Sequence, residues 1–491
     1  MPEIRPLPRQ IRTGRSRTLH LTAALVMLLA LIGASCAAKG DDNAATETTE
    51  GGEGTETTAE VAGDSFGDLE SPCGEGDYTV DPDEAGGSPD TLRIGVANDR
   101  TSQIRNGLNK EMWDASNAFA AWCNDQGGIG GLPIEIVDID AKLLEVESAM
   151  TLACNSVFML VGGGQVQDNL QFSGKPDSDF HECGLADIPG FTVSPEKSDS
   201  NGQVQPVPHP STEIGNSWLQ NFKTAEPDAA ESFAVVWGDL PSMLTIRNQT
   251  TAVIEDQGSE VAGIFDYPVT GLSDWTPMAQ NVINSGATAV AFVGEPTNLG
   301  SFVKSLREQG WEGTPMVETN MYDQIFIDSA GAENASGTVI RTVYHPFEEA
   351  DQWPATQQYV DIVTENVPDA KLAVLGMQSF SAWLLFATAS NDCAESNDGL
   401  LTRACVLEAA ADIDGWTGGG LHAPTDPGEL GGVPSECEML ITVNDEGAFE
   451  RLYPEIDSDD DDGDGFKCYP DSLVEVPDNE GLGKIGPDQP L

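Results

Sequence analysis

From residue 91 onward, short apolar runs alternate with amphipathic stretches, and this order constrains the fold more than any other feature of the chain. Residues 92–97 (LRIGVA) read as a strand. Residues 107–126 read as a helix with Met112, Ala115, Phe119 and Trp122 along one face. Gly127 and Gly128 end that helix. A strand at 134–138, a helix at 143–155 and a strand at 157–161 follow, with a further strand at 191–193. A second series begins at 232–237 (SFAVVW). It runs through a helix at 243–257, a strand at 261–265, a helix at 275–284, a strand at 288–293, a helix at 298–309 and a strand at 315–318. Short, continuously apolar strands between helices are the signature of a parallel sheet covered on both faces. Two such series predict an α/β chain of two doubly wound parallel-sheet lobes. Right-handed crossovers place the strand C-terminal ends on one edge of each sheet, where open α/β folds bind ligands.

Downstream, residues 337–343 read as a strand, 354–366, 372–390 and 402–411 as helices, and 438–445 with 449–453 as a closing β pair. Upstream the texture differs. Arg5, Arg9, Arg12, Arg15 and Arg17 precede an apolar run at 19–32, shorter than the ~20 residues of a membrane span. Gly33, Ala34 and Ser35 then lead to Cys36, so residues 1–35 are expected to be a signal peptide. The ending resembles a bacterial lipoprotein box in which Cys36 is lipidated, with Gly33 where a large aliphatic is usual. Residues 36–90, rich in Gly, Thr, Glu and Asp, are expected to be a lipid-anchored flexible acidic linker. The chain is thus expected to be exported and held on the outer face of the bacterial cytoplasmic membrane, touching it through the lipid anchor only.

Charge narrows the partners. With 81 acidic against 23 basic residues, a net of −58, the chain repels nucleic acid, whose affinity depends on Lys and Arg displacing counterions. The eight cysteines after Cys36 are even in number, as expected of disulfides in an exported chain, and none shows CxxC spacing. Proximity in sequence suggests Cys393–Cys405, Cys437–Cys468 and Cys123–Cys154, leaving Cys73 for Cys183. In the acidic run at 457–466 (DSDDDDGDGF), Asp460, Asp462 and Asp464, the Phe466 carbonyl and Asp471 match the spacing of a calcium loop. The two readings are a structural calcium site and a solvated acidic excursion. No other cofactor is expected.

Three stretches carry a family resemblance: CNDQGGIGGLPIEIVDID, with its acidic Asp138 and Asp140, DYPVTGLSDWTPMAQNVINSGATAVAFVG, and MQSFSAWLLFATAS. In order and spacing the chain resembles the branched-chain amino-acid (leucine-binding-protein-like) class of type I periplasmic solute-binding proteins, over about residues 91–455. The resemblance implies two lobes joined by three hinge crossings, here near 206–211, 342–346 and 432–437. Lobe I would comprise 91–207 and 344–433, and lobe II 208–343 and 434–456, with 457–491 an acidic, disulfide-tied tail. It implies a monomer that binds an amino acid, amide or similar small polar compound for an ABC permease.

The cleft would be lined by loops after strand ends. In lobe I these supply Asp99 and Arg100; Gln165, Val166, Gln167 and Asn169; and Ser194, Glu196 and Ser198. In lobe II they supply Asp239, Glu295, Glu318 and Tyr322. The resemblance implies that the lobe I loops at 162–169 and 194–198 hold a ligand carboxylate with hydroxyls and backbone N–H groups, and that acidic groups of lobe II (Asp239, Glu295, Glu318) hold its ammonium. Gln165–Val166–Gln167 stands where that class has a hydroxyl-rich loop, and Asp239–Leu240 where it often has Tyr-Gly. The five histidines lie in separate segments, and GxSxG, HExxH and Walker A motifs are absent, so no enzyme is expected. The alternatives are a sensory ectodomain of the same fold and a secreted enzyme using paired carboxylates.

Overall fold

The computed structural model describes residues 65–479 except 104, 173–177 and 429–430; the expected signal peptide and Cys36 lie outside the described residues. Three short strands come first: β1 (Ser65–Phe66), β2 (Leu69–Glu70) and β3 (Thr79–Val80). The first lobe then opens with β4 (Leu92–Asn98), α1 (Lys110–Asp125), β5 (Ile134–Asp140), α2 (Val146–Ser156), β6 (Met159–Val161), α3 (Asp179–Glu182), β7 (Asp187–Ile188) and α4 (Pro195–Ser198). Its four strands pair in parallel in the order β5-β4-β6-β7. The expected strand at 191–193 is not formed. Pro189 removes a ladder donor directly after Ile188, and the chain turns into α4, which Ser194 caps by accepting from the Lys197 N–H.

The chain crosses to the second lobe through β8 (Glu213–Gly215) and α5 (Ser217–Ala225). There it lays down β9 (Ser232–Gly238), α6 (Pro241–Asp256), β10 (Glu260–Tyr267), α7 (Thr276–Ser285), β11 (Ala289–Val293) and α8 (Pro296–Glu308). It continues with β12 (Thr314–Val317), α9 (Gln324–Ala330), α10 (Ala332–Ala335) and β13 (Val339–Thr342). A return crossing brings α11 (Pro354–Asn366), α12 (Val374–Ser396), β14 (Leu400–Leu401) and α13 (Arg403–Ala411) back onto the first lobe. A third crossing leads to β15 (Cys437–Val443), β16 (Phe449–Tyr453), β17 (Lys467–Cys468) and β18 (Leu473–Glu475). The second sheet is mixed: β10-β9-β11-β12-β13 are parallel, and β15, β16 and β17 add to it antiparallel.

Helix α12 shows how sequence becomes packing. It is apolar around nearly its whole circumference and buried over most of its length, as a helix inside a lobe must be. Small residues let it lie close to α1: the Ser379 hydroxyl donates to the Met112 carbonyl at 3.2 Å. The Trp383 indole N–H donates to the Ser116 hydroxyl at 2.8 Å, and its ring stacks on Phe119. Trp383 also dictates a glycine. A Cβ on Gly162, whose φ is +68°, would stand 2.5 Å from the indole nitrogen.

Two expectations are corrected at the ends of the folded body. Residues 65–90 are not a free linker: Phe66 is fully buried against Phe380 and Trp122, and β3 pairs with β14. The Tyr78 N–H donates to Gly130, and Cys73 is bonded to Cys123. A few anchors dock a segment whose average composition reads as linker. Cys73–Cys123 and Cys154–Cys183 thus replace the expected Cys123–Cys154 and Cys73–Cys183, because the docked N-terminal segment brings Cys73 to the end of α1. Cys393–Cys405 and Cys437–Cys468 are bridged. The C-terminal tail, in turn, contributes β17 to the second sheet and pairs β18 with β8.

Candidate functional site

At the C-terminal edge of the first sheet, most of the sequence-marked residues are already engaged by other groups of the protein. Asp99 is buried and accepts from the Leu143 N–H at 2.6 Å and the Val166 N–H at 2.9 Å; burial raises its pKa against the pull of those two N–H groups. Arg100 pairs with Asp138 and lies over the Trp113 ring. The Gln165 amide donates to the Ile139 carbonyl at 3.2 Å, while its buried Oε1 has no partner among the described residues. Gln167 donates to the Leu143 carbonyl. Asn169 is exposed and Glu196 half-buried. The Ser198 hydroxyl is buried beside that of Thr192, at 3.0 Å.

The loops expected to hold a ligand carboxylate already hold one from the protein. Asp168, which the sequence reading did not single out, takes the Val193 N–H at 2.6 Å and the Ser194 N–H at 2.8 Å. The Ser194 hydroxyl in turn donates to the Asp168 main-chain carbonyl at 2.9 Å. Asp168 is 3% exposed, and burial pushes its pKa up to about 7 despite the donors around it. Ser194 thus caps α4 and is tied to Asp168 through both its N–H and its hydroxyl.

On the second lobe, Asp239 is exposed. Glu295, which precedes α8, meets Arg105 at 2.5 Å and accepts from the Asn298 amide at 3.1 Å. Burial raises its pKa, with Arg105 opposing. Glu318 is held by Arg341 at 2.6 Å, and Arg341 also reaches Glu438 at 3.3 Å. Tyr322 is buried, donates to Glu348 and accepts from the Phe347 N–H. Glu295 and Glu318, the acidic groups expected to face a ligand ammonium, are each paired with an arginine, and the Tyr322 ring packs against Phe347 and Phe449.

Among the described residues, two ion pairs join the lobes near the C-terminal ends of their strands. Arg105, in the loop after β4, reaches Glu295 after β11. Lys371, ahead of α12, reaches Asp323 after β12 at 2.6 Å while also holding Glu111 of α1 at 2.8 Å. Sequence reasoning followed acidic groups and passed over Arg105, Lys371 and Arg341. On a chain with only 23 basic residues, a Lys or Arg flanking a strand or helix end was the available signal.

The acidic run at 457–466, with Asp471, carries the positions of the expected calcium loop. The Asp462 carboxylate is taken by the Lys467 ammonium and the Cys468 N–H, and the Phe466 carbonyl accepts from the Asp462 N–H. Asp460, Asp464 and Asp471 do not join it; among the described residues no three His, Cys, Asp or Glu side chains gather as a cation site.

Residues 91–448 match the family model described as periplasmic binding protein. Solved structures share the fold at low identity. One is a leucine-binding protein, LivK, from Thermotoga maritima: TM-score 0.60, 14% identity, covering 79% of this chain and 100% of that one. A second is a fatty acid ABC transporter substrate-binding protein from Thermomonospora curvata: TM-score 0.61, 16% identity, 76% of this chain and 94% of that one. A third is the branched-chain amino acid transporter substrate-binding protein LivJ from Streptococcus pneumoniae, in complex with isoleucine: TM-score 0.58, 15% identity, 74% of this chain and 100% of that one. No curated protein matches the chain.

Proposed function

The chain belongs to the periplasmic binding protein family, and we propose that it captures one small solute between its two lobes and delivers it, unchanged, to an ABC importer. The observation that carries this reading is the pair of bridges, Arg105–Glu295 and Lys371–Asp323, each running from one sheet's ligand-binding edge to the other's. Such bridges are what two lobes make when they close, and closure is how a bilobed protein buries a ligand without reacting with it. In the same reading Cys36 carries a lipid that holds the protein outside the cytoplasmic membrane.

The ligand class follows from which polar groups are spent. The Val193 and Ser194 N–H groups are satisfied by Asp168, so an α-carboxylate would have to displace a buried internal carboxylate to bind there. Among the described residues of these loops, Gln165 Oε1 has no partner and Asn169, Glu196 and Asp239 are exposed or half-buried. These suit an amide, an amine or a polyhydroxylated solute better than a free amino acid. Isothermal titration against amides, amines, sugars, amino acids and fatty acids, with native mass spectrometry, tests the reading. One ligand per chain, recovered intact, is expected. Consumption of the ligand on incubation would sink the non-catalytic reading, and tight binding of a free α-amino acid would sink the ligand class.

A further inference from the structure

The C-terminal segment touches all three connections between the lobes. At the first, β18 pairs antiparallel with β8, the Val476 N–H donates to Thr212, and the Asn216 N–H donates to Ser472. Asn479, fully buried, donates to the Ser211 carbonyl at 2.7 Å and to the Thr245 carbonyl at 3.1 Å on α6, and accepts from the Asn248 amide at 2.7 Å. At the second connection, His345 sits between the Asp464 carbonyl at 2.7 Å and the Gly420 carbonyl at 3.1 Å, with Phe466 packed on one side and Trp353 stacked at 3.9 Å. Gly465 lies against Trp353, and its carbonyl accepts from Arg451, which also pairs with Glu349 at 2.6 Å. At the third, Cys468 is bonded to Cys437, the Tyr469 N–H donates to Glu436, and the Ser472 N–H donates to the Glu436 carboxylate.

We propose that residues 463–479 form a strap across the hinge, one segment fastened to every crossing, which holds the lobes in the arrangement where Arg105–Glu295 and Lys371–Asp323 are made. A hinge works by letting a few residues absorb large backbone changes. Here those residues are pinned from outside by β18, Asn479, the Asp464–Gly465–Phe466 turn and a disulfide. The contacts at the first and third crossings seat the strap on the second lobe, and those at the second, with His345 and Trp353, tie it to the chain returning to the first lobe, so opening works against one segment held on both sides. The strap therefore biases the lobe equilibrium whichever solute enters the cleft.

The test measures that equilibrium without ligand. Azide-bearing residues placed at Thr151 on α2 and Asn284 on α7, both exposed, take donor and acceptor dyes, and single-molecule energy transfer gives the lobe distance distribution of the full chain. Asn479→Ser removes the amide's hydrogen bonds to Ser211, Thr245 and Asn248 beside the first crossing while leaving the β18–β8 pairing; Phe466→Leu keeps the second filled while removing the ring. In each folded variant the open population should rise about tenfold, the change expected for losing one or two buried hydrogen bonds or their packing equivalent. A distance distribution identical to the parent in either correctly folded variant, by far-UV circular dichroism, overturns the proposal. Because the readout needs no ligand, failure to find a solute leaves this result intact.

Discussion

Replacing Asp168 by Asn should remove a specific slope from the protein's pH–stability profile. Asp168 is buried, and its pKa is lifted from an ordinary 3.8 to about 7. Between those values the folded protein keeps a proton that the unfolded chain releases. Stability must therefore fall as pH rises through that window and level off above about 7. The shift is roughly three units at about 1.4 kcal/mol each, so the wild type loses on the order of 4 kcal/mol between pH 4 and 7 from this residue. The amide of the Asp168→Asn variant does not titrate, so its profile lacks that slope. Other groups tilt both profiles alike. Buried His209 and His422, lowered to about 4, act in the opposite sense, losing stability as pH falls below about 6.5. Comparing the two proteins at each pH cancels those common terms. Near pH 4 the substitution should cost about 1–2 kcal/mol, because one acceptor facing Val193 or Ser194 becomes a donor. By pH 8 it should be neutral or stabilising. Thermal or urea melts at half-unit intervals measure this, with a relative gain of roughly 2–4 °C per pH unit for the variant. Parallel profiles would mean that Asp168 ionises normally in the fold, and the reasoning about its site would be wrong.

Phe66→Ala should cost about 3–5 kcal/mol, since the ring is fully buried in an aromatic cluster; a melting temperature unchanged within error would return residues 65–90 to the status of a linker. Arg341→Met strips the partner from Glu318 and from buried Glu438 and should cost about 3–5 kcal/mol, with adding Glu438→Gln recovering part of it; no recovery in the double variant would show that the pair is not the source. Non-reducing peptide mapping should recover Cys73 with Cys123 and Cys154 with Cys183, and a Cys123–Cys154 peptide would refute the N-terminal docking. Replacing both Cys154 and Cys183, 29 residues apart, by Ala should cost roughly 3 kcal/mol in denaturant melts.

The repeating strand–helix order was legible because it is local. Periodicity over a dozen residues reports which face is buried, and so β4, β9, β11 and α11 fall where their apolar spacing put them. The site was legible only as loops. Asp99, Glu295 and Glu318 lie at strand ends as expected, but their partners (Leu143 and Val166, Arg105, Arg341) are distant in sequence and nothing in the local pattern pairs them. The cysteines show the same division: Cys393–Cys405, 12 residues apart, follows from proximity, while Cys73–Cys123 depends on where Phe66 and β3 dock.

What the amino-acid order determined by itself was the class: two α/β series on an acidic chain without a nucleic-acid-binding charge pattern. What only the tertiary structure decided was which carboxylates are already satisfied and which segments brace the hinge. The physical reason is one of range. Secondary structure answers to burial periodicity among near neighbours, whereas a buried Asp168 or Asn479 is defined by donors and acceptors that only the folded chain brings within hydrogen-bonding distance.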